Sequence, residues 1–202
     1  MVTVHPLPVT DHCSLCPVLA NNRQRIVHGY GDPQARVLMI GEAPGYLGAD
    51  RTGTPFTGDR SGRRVQALLI RLGLSEESDP AVKAPRLRGV FISNVVRCNP
   101  PGNRNPTPAE VTNCAPFLRR ELEAIRPAAV VTLGSFAAAW AFRELLHAEL
   151  PAGIRTLHGR AWPAGDVTLL TLVHPARASN AQMAVAEQAL RQLQDAWELP
   201  ER

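Results

Sequence analysis

The sequence predicts an α/β fold built on a parallel sheet with helices covering both faces. Two observations carry that prediction. Four strand-like runs (36–41, 89–97, 128–134 and 167–174) are dominated by apolar residues and lack the in–out alternation of a sheet with one wet face. Segments with apolar residues at helical spacing separate them, which is the strand–helix order of a parallel sheet and not of a meander.

Each element has its own signal. Val37-Leu-Met-Ile40 is a buried strand that ends in a turn at Gly41. Ser61 to Leu72 follows as a helix, with Val65, Leu68, Leu69 and Leu72 on one face. Gly89 to Arg97 is a second buried strand, after which Pro100, Pro101, Gly102, Pro106 and Pro108 form a rigid loop. Thr107-Pro-Ala-Glu110 has the pattern of a capping box, with proline at the first helical position. The helix it opens runs to about Ile125, with Val111, Cys114, Leu118 and Leu122 turned inward. Ala128 to Gly134 is a third strand and Ser135 to His147 a helix; Val167 to His174 is the next strand and Ser179 to Trp197 the last helix.

The chain of 202 residues fits one domain spanning 1–202. Its longest charge-free apolar stretch, Pro127 to Phe142, has 16 residues and contains Gly134 and Ser135, which excludes a membrane span there. No basic patch followed by an apolar run opens the chain, so a soluble cytoplasmic protein is expected. Of 22 basic residues, 21 are arginine; residues 1–120 hold 15 basic and 9 acidic groups, residues 121–202 hold 7 and 9. A basic half beside a faintly acidic one points to a polyanionic partner.

Cys13, Cys16, Cys98 and Cys114 are few and unevenly spaced. The Cys13-Ser-Leu-Cys16 spacing lets two thiolates face one metal centre, whereas fifteen residues separate the other two. Four thiolates with one close pair suit a [4Fe–4S] cluster and zinc alike. Either would tie the N-terminal segment to elements more than eighty residues away, a structural role.

In a parallel sheet the ligand site lies beyond the carboxyl ends of the strands. Three of those ends carry unusual chemistry: Gly41-Glu-Ala-Pro-Gly45, Ser93-Asn94 and His174-Pro-Ala-Arg177. Alone, Glu42 is a solvated carboxylate near a helix start, Phe56 a loop anchor, Asn94 an amide satisfied by backbone and His174 a structural histidine. As a set they place an acid, a stacking ring, an amide able to read a base edge and an imidazole around one cleft.

The motifs Gly41-Glu-Ala-Pro-Gly45, Gly53-Thr-Pro-Phe56, Asn94-Val-Val-Arg-Cys98-Asn-Pro-Pro and His174-Pro, with four cysteines in order, resemble the uracil-DNA glycosylase superfamily. The likeness runs from Cys13 to about Asn180 and is to the iron–sulfur branches, families 4 and 5. The GEAPG and Asn94–Cys98 motifs look like family 4; Arg51-Thr-Gly53 and Phe56-Thr-Gly-Asp-Arg-Ser-Gly62 look like family 5. The resemblance implies a three-layer sandwich with a central four-stranded parallel sheet, and a [4Fe–4S] cluster in preference to zinc. It further implies that Glu42 positions or activates water, Phe56 stacks on a flipped base, Asn94 reads its edge and His174 meets the negative charge developing on it. Arg177 lies where relatives place a loop that enters the DNA groove; Arg60, Arg63 and Arg64 are candidates for phosphate.

Two departures bear on specificity. Ala43 lines the base site where the best-known uracil enzymes have aspartate, so water activation falls to Glu42. Gly45 to Asp50 does not match the acid-rich stretch of family 4 that helps exclude thymine's methyl group; either Tyr46 replaces that barrier or the pocket admits other deaminated bases. No lysine stands in the motifs to form a Schiff base. The expected activity is therefore a monofunctional glycosylase, working as a monomer on DNA that contains uracil or other deaminated bases. A noncatalytic iron–sulfur module for damaged or single-stranded DNA is the alternative. A base-trapping relative that bonds to the abasic sugar has less support, because the Pro100–Pro108 loop holds no histidine to act as its nucleophile.

Overall fold

A computed structural model describes residues 12–198. Six strands form one sheet: β1 (Tyr30–Gly31), β2 (Val37–Gly41), β3 (Val90–Asn94), β4 (Ala129–Leu133), β5 (Arg160–Ala164) and β6 (Val167–Leu172), in the order β1-β3-β2-β4-β6-β5. The inner four, β3, β2, β4 and β6, are parallel, with Gly41 opposite Asn94, Val37 opposite Ala129 and Leu133 opposite Leu172. They are the four strands the apolar runs mark out, and the parallel core is as expected.

The two edges are additions. β1 pairs antiparallel with β3, and β5 antiparallel with β6. Two residues are too few to give β1 a periodic signal. β5 is half exposed and carries Arg160 and Pro163, residue types that belong on a sheet edge and read as loop in a sequence.

Alternation within each inner strand sorts side chains to two cores. Leu38, Ile40, Phe91, Val130 and Leu169 pack with Leu19, Leu118, Ile125, Trp140 and Phe142, from α1 (Pro17–Asn22), α4 (Pro108–Ile125) and α5 (Ser135–Leu146). Val37, Met39, Val90, Ile92, Val131 and Leu170 pack with Val65, Leu68, Leu69, Ala186 and Leu190, from α3 (Arg60–Arg71) and α7 (Asn180–Glu198). These are the three layers. Two four-residue helices, α2 (Ala49–Thr52) and α6 (Ile154–Leu157), had no periodic signal.

The capping box forms as expected: Glu110 N–H donates to Thr107 Oγ1 at 3.3 Å and Thr107 N–H to Glu110 Oε2 at 2.8 Å. Beneath the end of β3, Arg97 is 1% exposed and pairs with Glu121 at 2.5 Å, while Ser93 Oγ donates to the same carboxylate at 2.6 Å. Among the described residues no helix is long and apolar enough to cross a membrane.

Candidate functional site

The parallel arrangement brings Glu42, Asn94, Gly134 and His174 to one edge of the sheet, each at or just past a strand's carboxyl end. Gly41 sits where two of the groups meet. A methyl group there would lie 2.5 Å from Asn94 Oδ1 and 2.7 Å from the Phe56 ring, so glycine is what lets amide and ring approach. At Gly134, φ is +106° and a methyl would stand 3.3 Å from His174 Cβ, closing the floor under the imidazole. The Phe56 and His174 rings are 6.3 Å apart and tilted by 39°.

Phe56 adopts φ +51°, a conformation that costs a bulky residue of order 1–3 kcal/mol and gathers at functional sites. Its surroundings enforce it. Buried Gln66 Nε2 donates to Phe56 O at 3.2 Å, and Thr57 Oγ1 donates to Thr54 O at 2.9 Å across the same turn.

Asn94 is 3% exposed, yet its side chain makes no hydrogen bond among the described residues. The buried polar atoms left without any partner are Gln66 Oε1 and Trp140 Nε1, so the Asn94 amide still reaches open space in the cleft. The satisfied-by-backbone alternative does not hold here. A buried amide with free donor and acceptor is a ready reader of a polar ring edge.

Glu42 is half buried; desolvation pushes its carboxyl above the usual range, and the Arg177 guanidinium partly counters that. Burial drives His174 below the usual imidazole value, with Asp59 opposing and Arg177 reinforcing the shift. His174 is therefore neutral at pH 7. Its Nδ1 accepts from Ala176 N–H at 3.3 Å, which leaves the proton on Nε2 and makes that nitrogen a donor.

Arg60 and Arg63 are exposed on the first turn of α3 and make no ion pair among the described residues. Arg177 is exposed within the turn after His174. Arg64 is already engaged. It donates to Pro175 O at 3.1 Å, Ala178 O at 2.5 Å and Asn180 Oδ1 at 3.3 Å, and so clamps the His174 loop to α3 in place of a phosphate. Ala43 packs half-buried against one core, while Tyr46 is 52% exposed at the mouth of the cleft.

Sequence reading missed several supports. Asp59 caps α3 by accepting from Gly62 N–H at 2.8 Å, a role its place before the helix would have revealed. Asp50, fully buried, accepts from Gln24 N–H at 3.1 Å. Asn99 donates to Pro44 O at 2.7 Å and to Asn103 Oδ1 at 2.8 Å; Asn103 Oδ1 also takes Tyr46 N–H at 2.9 Å. Gln66, Asp50 and Asn99 carry no local pattern, because each acts on a segment distant in sequence.

The four cysteines line one open cavity, together with Leu19, Arg23, Val96, Arg97, Asn113 and Phe117. Three N–H groups face sulfur: Arg97 N–H to Cys114 at 3.3 Å, Asn113 Nδ2 to Cys16 at 3.4 Å and Arg23 Nη1 to Cys98 at 3.6 Å. Burial pushes the Cys114 thiol up to about 11 and raises Cys98, so a bound cationic centre is needed to hold them as thiolates at neutral pH. Four sulfurs lining one cavity, with N–H donors beside three of them, are a donor set that could hold a metal centre.

An unengaged amide, a ring and an acid thus stand along one strand-end edge of an α/β sheet, the place where ligands sit in parallel sheets. Comparison with known proteins gives the family. The profile of the uracil DNA glycosylase superfamily matches residues 28–198, and the chain belongs to that superfamily. It is 37% identical over 182 residues to the type-5 uracil-DNA glycosylase of Pyrobaculum aerophilum, covering 81% of this chain and 78% of that one. To the type-4 uracil-DNA glycosylase of Archaeoglobus fulgidus it is 36% identical over 168 residues, 81% and 76% of the two chains. To the type-5 uracil-DNA glycosylase of Thermus thermophilus it is 39% identical over 172 residues, 70% and 78% of the two chains.

Proposed function

We propose that this chain is a monofunctional DNA glycosylase that hydrolyses the N-glycosidic bond of uracil in DNA and leaves an abasic site. The observation that carries the reading is the meeting of an unengaged Asn94 amide and the strained Phe56 ring at Gly41, one residue before Glu42. Cleavage of a deoxyribose–base bond develops positive charge on the sugar and negative charge on the departing base. Glu42, its carboxyl raised by burial, takes a proton from the attacking water and faces the cationic sugar. Neutral His174 donates from Nε2 to the base oxygen as charge builds there. Asn94 hydrogen-bonds the base edge, and stacking on Phe56, worth about 1–3 kcal/mol, repays much of the few kcal/mol needed to take the base out of the stack.

Ala43 and Tyr46 set how narrowly the pocket selects. With no acidic side chain at position 43 and Tyr46 at the mouth, other deaminated bases are secondary substrates. Arg60, Arg63 and Arg177 contact phosphate, and the whole chain acts as one monomeric domain. Cys13, Cys16, Cys98 and Cys114 would hold a [4Fe–4S] cluster, which when bound supplies a structural tie between the N-terminal segment, β3 and α4. Uracil release from U:G, U:A and single-stranded oligonucleotides tests the activity. Release abolished by Glu42→Gln is expected; salt-sensitive binding without release from any substrate would mean a noncatalytic DNA-binding module instead.

A further inference from the structure

We propose that His158 is a positioning residue for His174: its imidazole fixes the backbone that carries the base-facing ring, a reading that rests on the glycosylase function above. His158 belongs to none of the strand-end motifs and lies in the turn between α6 and β5. Its Nδ1 accepts from Val173 N–H at 3.1 Å, and its Nε2 meets Gln182 O at 2.8 Å. Val173 is the residue before His174, and Gln182 stands in the first turn of α7. One half-buried ring therefore ties down both ends of the segment that bears His174.

The tautomer follows from the partners. An amide N–H can only donate and a carbonyl can only accept, so Nε2 carries the proton and Nδ1 the lone pair. Both bonds ask for the same form of the ring. The Val173 bond also completes the sheet where its ladder stops. β5 begins at Arg160, opposite Thr171, so the N–H of buried Val173 lies past the last residue of that strand and needs another acceptor. The imidazole supplies it.

The ring is itself held in place. Thr171 Oγ1 donates to Leu157 O at 2.5 Å and Gly159 N–H to Thr171 O at 2.8 Å, one bond on each side of His158. Gly159 takes φ +77°, and a methyl there would lie 2.7 Å from Val185 Cγ1, which seats the turn against α7. From α3, Arg64 holds the carbonyls of Pro175 and Ala178. The turn after His174 is thus anchored by Arg64, and the peptide before it by His158. That peptide sets where the His174 backbone stands, and with it where Nε2–H can reach. A donor to developing charge has to be in place beforehand, and a shift of about 1 Å costs on the order of 100-fold.

Two substitutions separate the bulk of the ring from its lone pair. His158→Phe keeps a ring and removes both nitrogens. His158→Asn sets an amide oxygen at the distance of Nδ1 from Cβ and drops the bond to Gln182. Each is compared with wild type for release of uracil and of 5-fluorouracil from one single-stranded sequence, beside thermal unfolding of the same preparation. His158→Phe is expected to lose about tenfold in kcat for uracil, with KM within about twofold of wild type. Fluorine stabilises the departing anion, so less depends on His174 and the loss shrinks for 5-fluorouracil. His158→Asn recovers most of the rate. Should His158→Phe not fold, His158→Leu takes its place.

NMR gives a second arm that needs no turnover. In His158→Phe the Val173 amide exchanges faster and the His174 ring resonances move; in His158→Asn both stay near wild type. Equal losses on the two bases, His158→Asn as impaired as His158→Phe, or unmoved His174 resonances in His158→Phe each overturn the proposal. If wild type releases no uracil from any substrate, the glycosylase reading fails and the NMR arm alone decides whether His158 positions His174.

Discussion

Replacing Gly41 by alanine tests how closely the base-holding groups are packed. The added methyl would stand 2.5 Å from Asn94 Oδ1 and 2.7 Å from two carbons of the Phe56 ring. Ordinary contact begins near 3.4 Å, so amide and ring must each retreat by most of an ångström. The backbones behind both groups are fixed, Asn94 by its register with Gly41 itself and Phe56 through its carbonyl by Gln66, so the amide and the ring must swing out of the positions in which they meet. A displacement of about 1 Å in a positioned group costs on the order of 100-fold in rate, while overpacking of one methyl costs roughly 1–3 kcal/mol in stability. Gly41→Ala should therefore remain folded, with a lowered thermal midpoint, and lose about 100-fold in kcat/KM for uracil release. The assay is single-turnover release beside thermal unfolding of the same preparation. A rate within threefold of wild type would show that the amide and the ring do not jointly hold the base.

The remaining expectations follow from single contacts. Arg177 lowers both Glu42 and His174, so Arg177→Ala lets both rise; since Glu42 must be ionised and His174 neutral, the acid limb of the kcat/KM profile moves to higher pH, read from rates between pH 4 and 8. Glu121→Gln leaves Arg97 buried without its counter-charge and should cost about 3–5 kcal/mol in denaturant unfolding, whereas Arg97→Met with Glu121→Leu should recover most of it. Arg60→Ala and Arg63→Ala each remove one exposed cation, and each should flatten the salt dependence of DNA affinity by about one ion. Cys114→Ser should lose visible iron–sulfur absorbance and the restraint on the N-terminal segment, detectable as faster amide exchange over α1.

Much of the fold is legible because burial on both faces leaves a strong mark. The runs 36–41 and 128–134 have no polar face to hide, and the Thr107–Glu110 cap announces α4 before its apolar face begins. The shared position of the strand ends was legible for a related reason: Glu42, Asn94 and His174 interrupt or close apolar runs, and a parallel topology brings such interruptions to one edge. The unread parts work at a distance. β5 looks like loop because an edge strand tolerates Pro163 and Arg160. Arg64 looks like a phosphate ligand from its place at a helix start, yet its partners lie more than a hundred residues away in the His174 loop. Asn99 sits between Cys98 and a proline run, and nothing local tells that its amide holds Pro44. Arg97 resembles a surface cation closing a strand until Ser93 and Glu121 enclose it.

The most direct measurement is uracil release from a U-containing oligonucleotide by wild-type protein and by Glu42→Gln, each with its folding and DNA affinity verified. Repeated turnovers by wild type, and a loss of release in the variant with DNA binding kept, are the expected results. Undiminished release by Glu42→Gln would place the water-activating group elsewhere and contradict the cleft as assigned here.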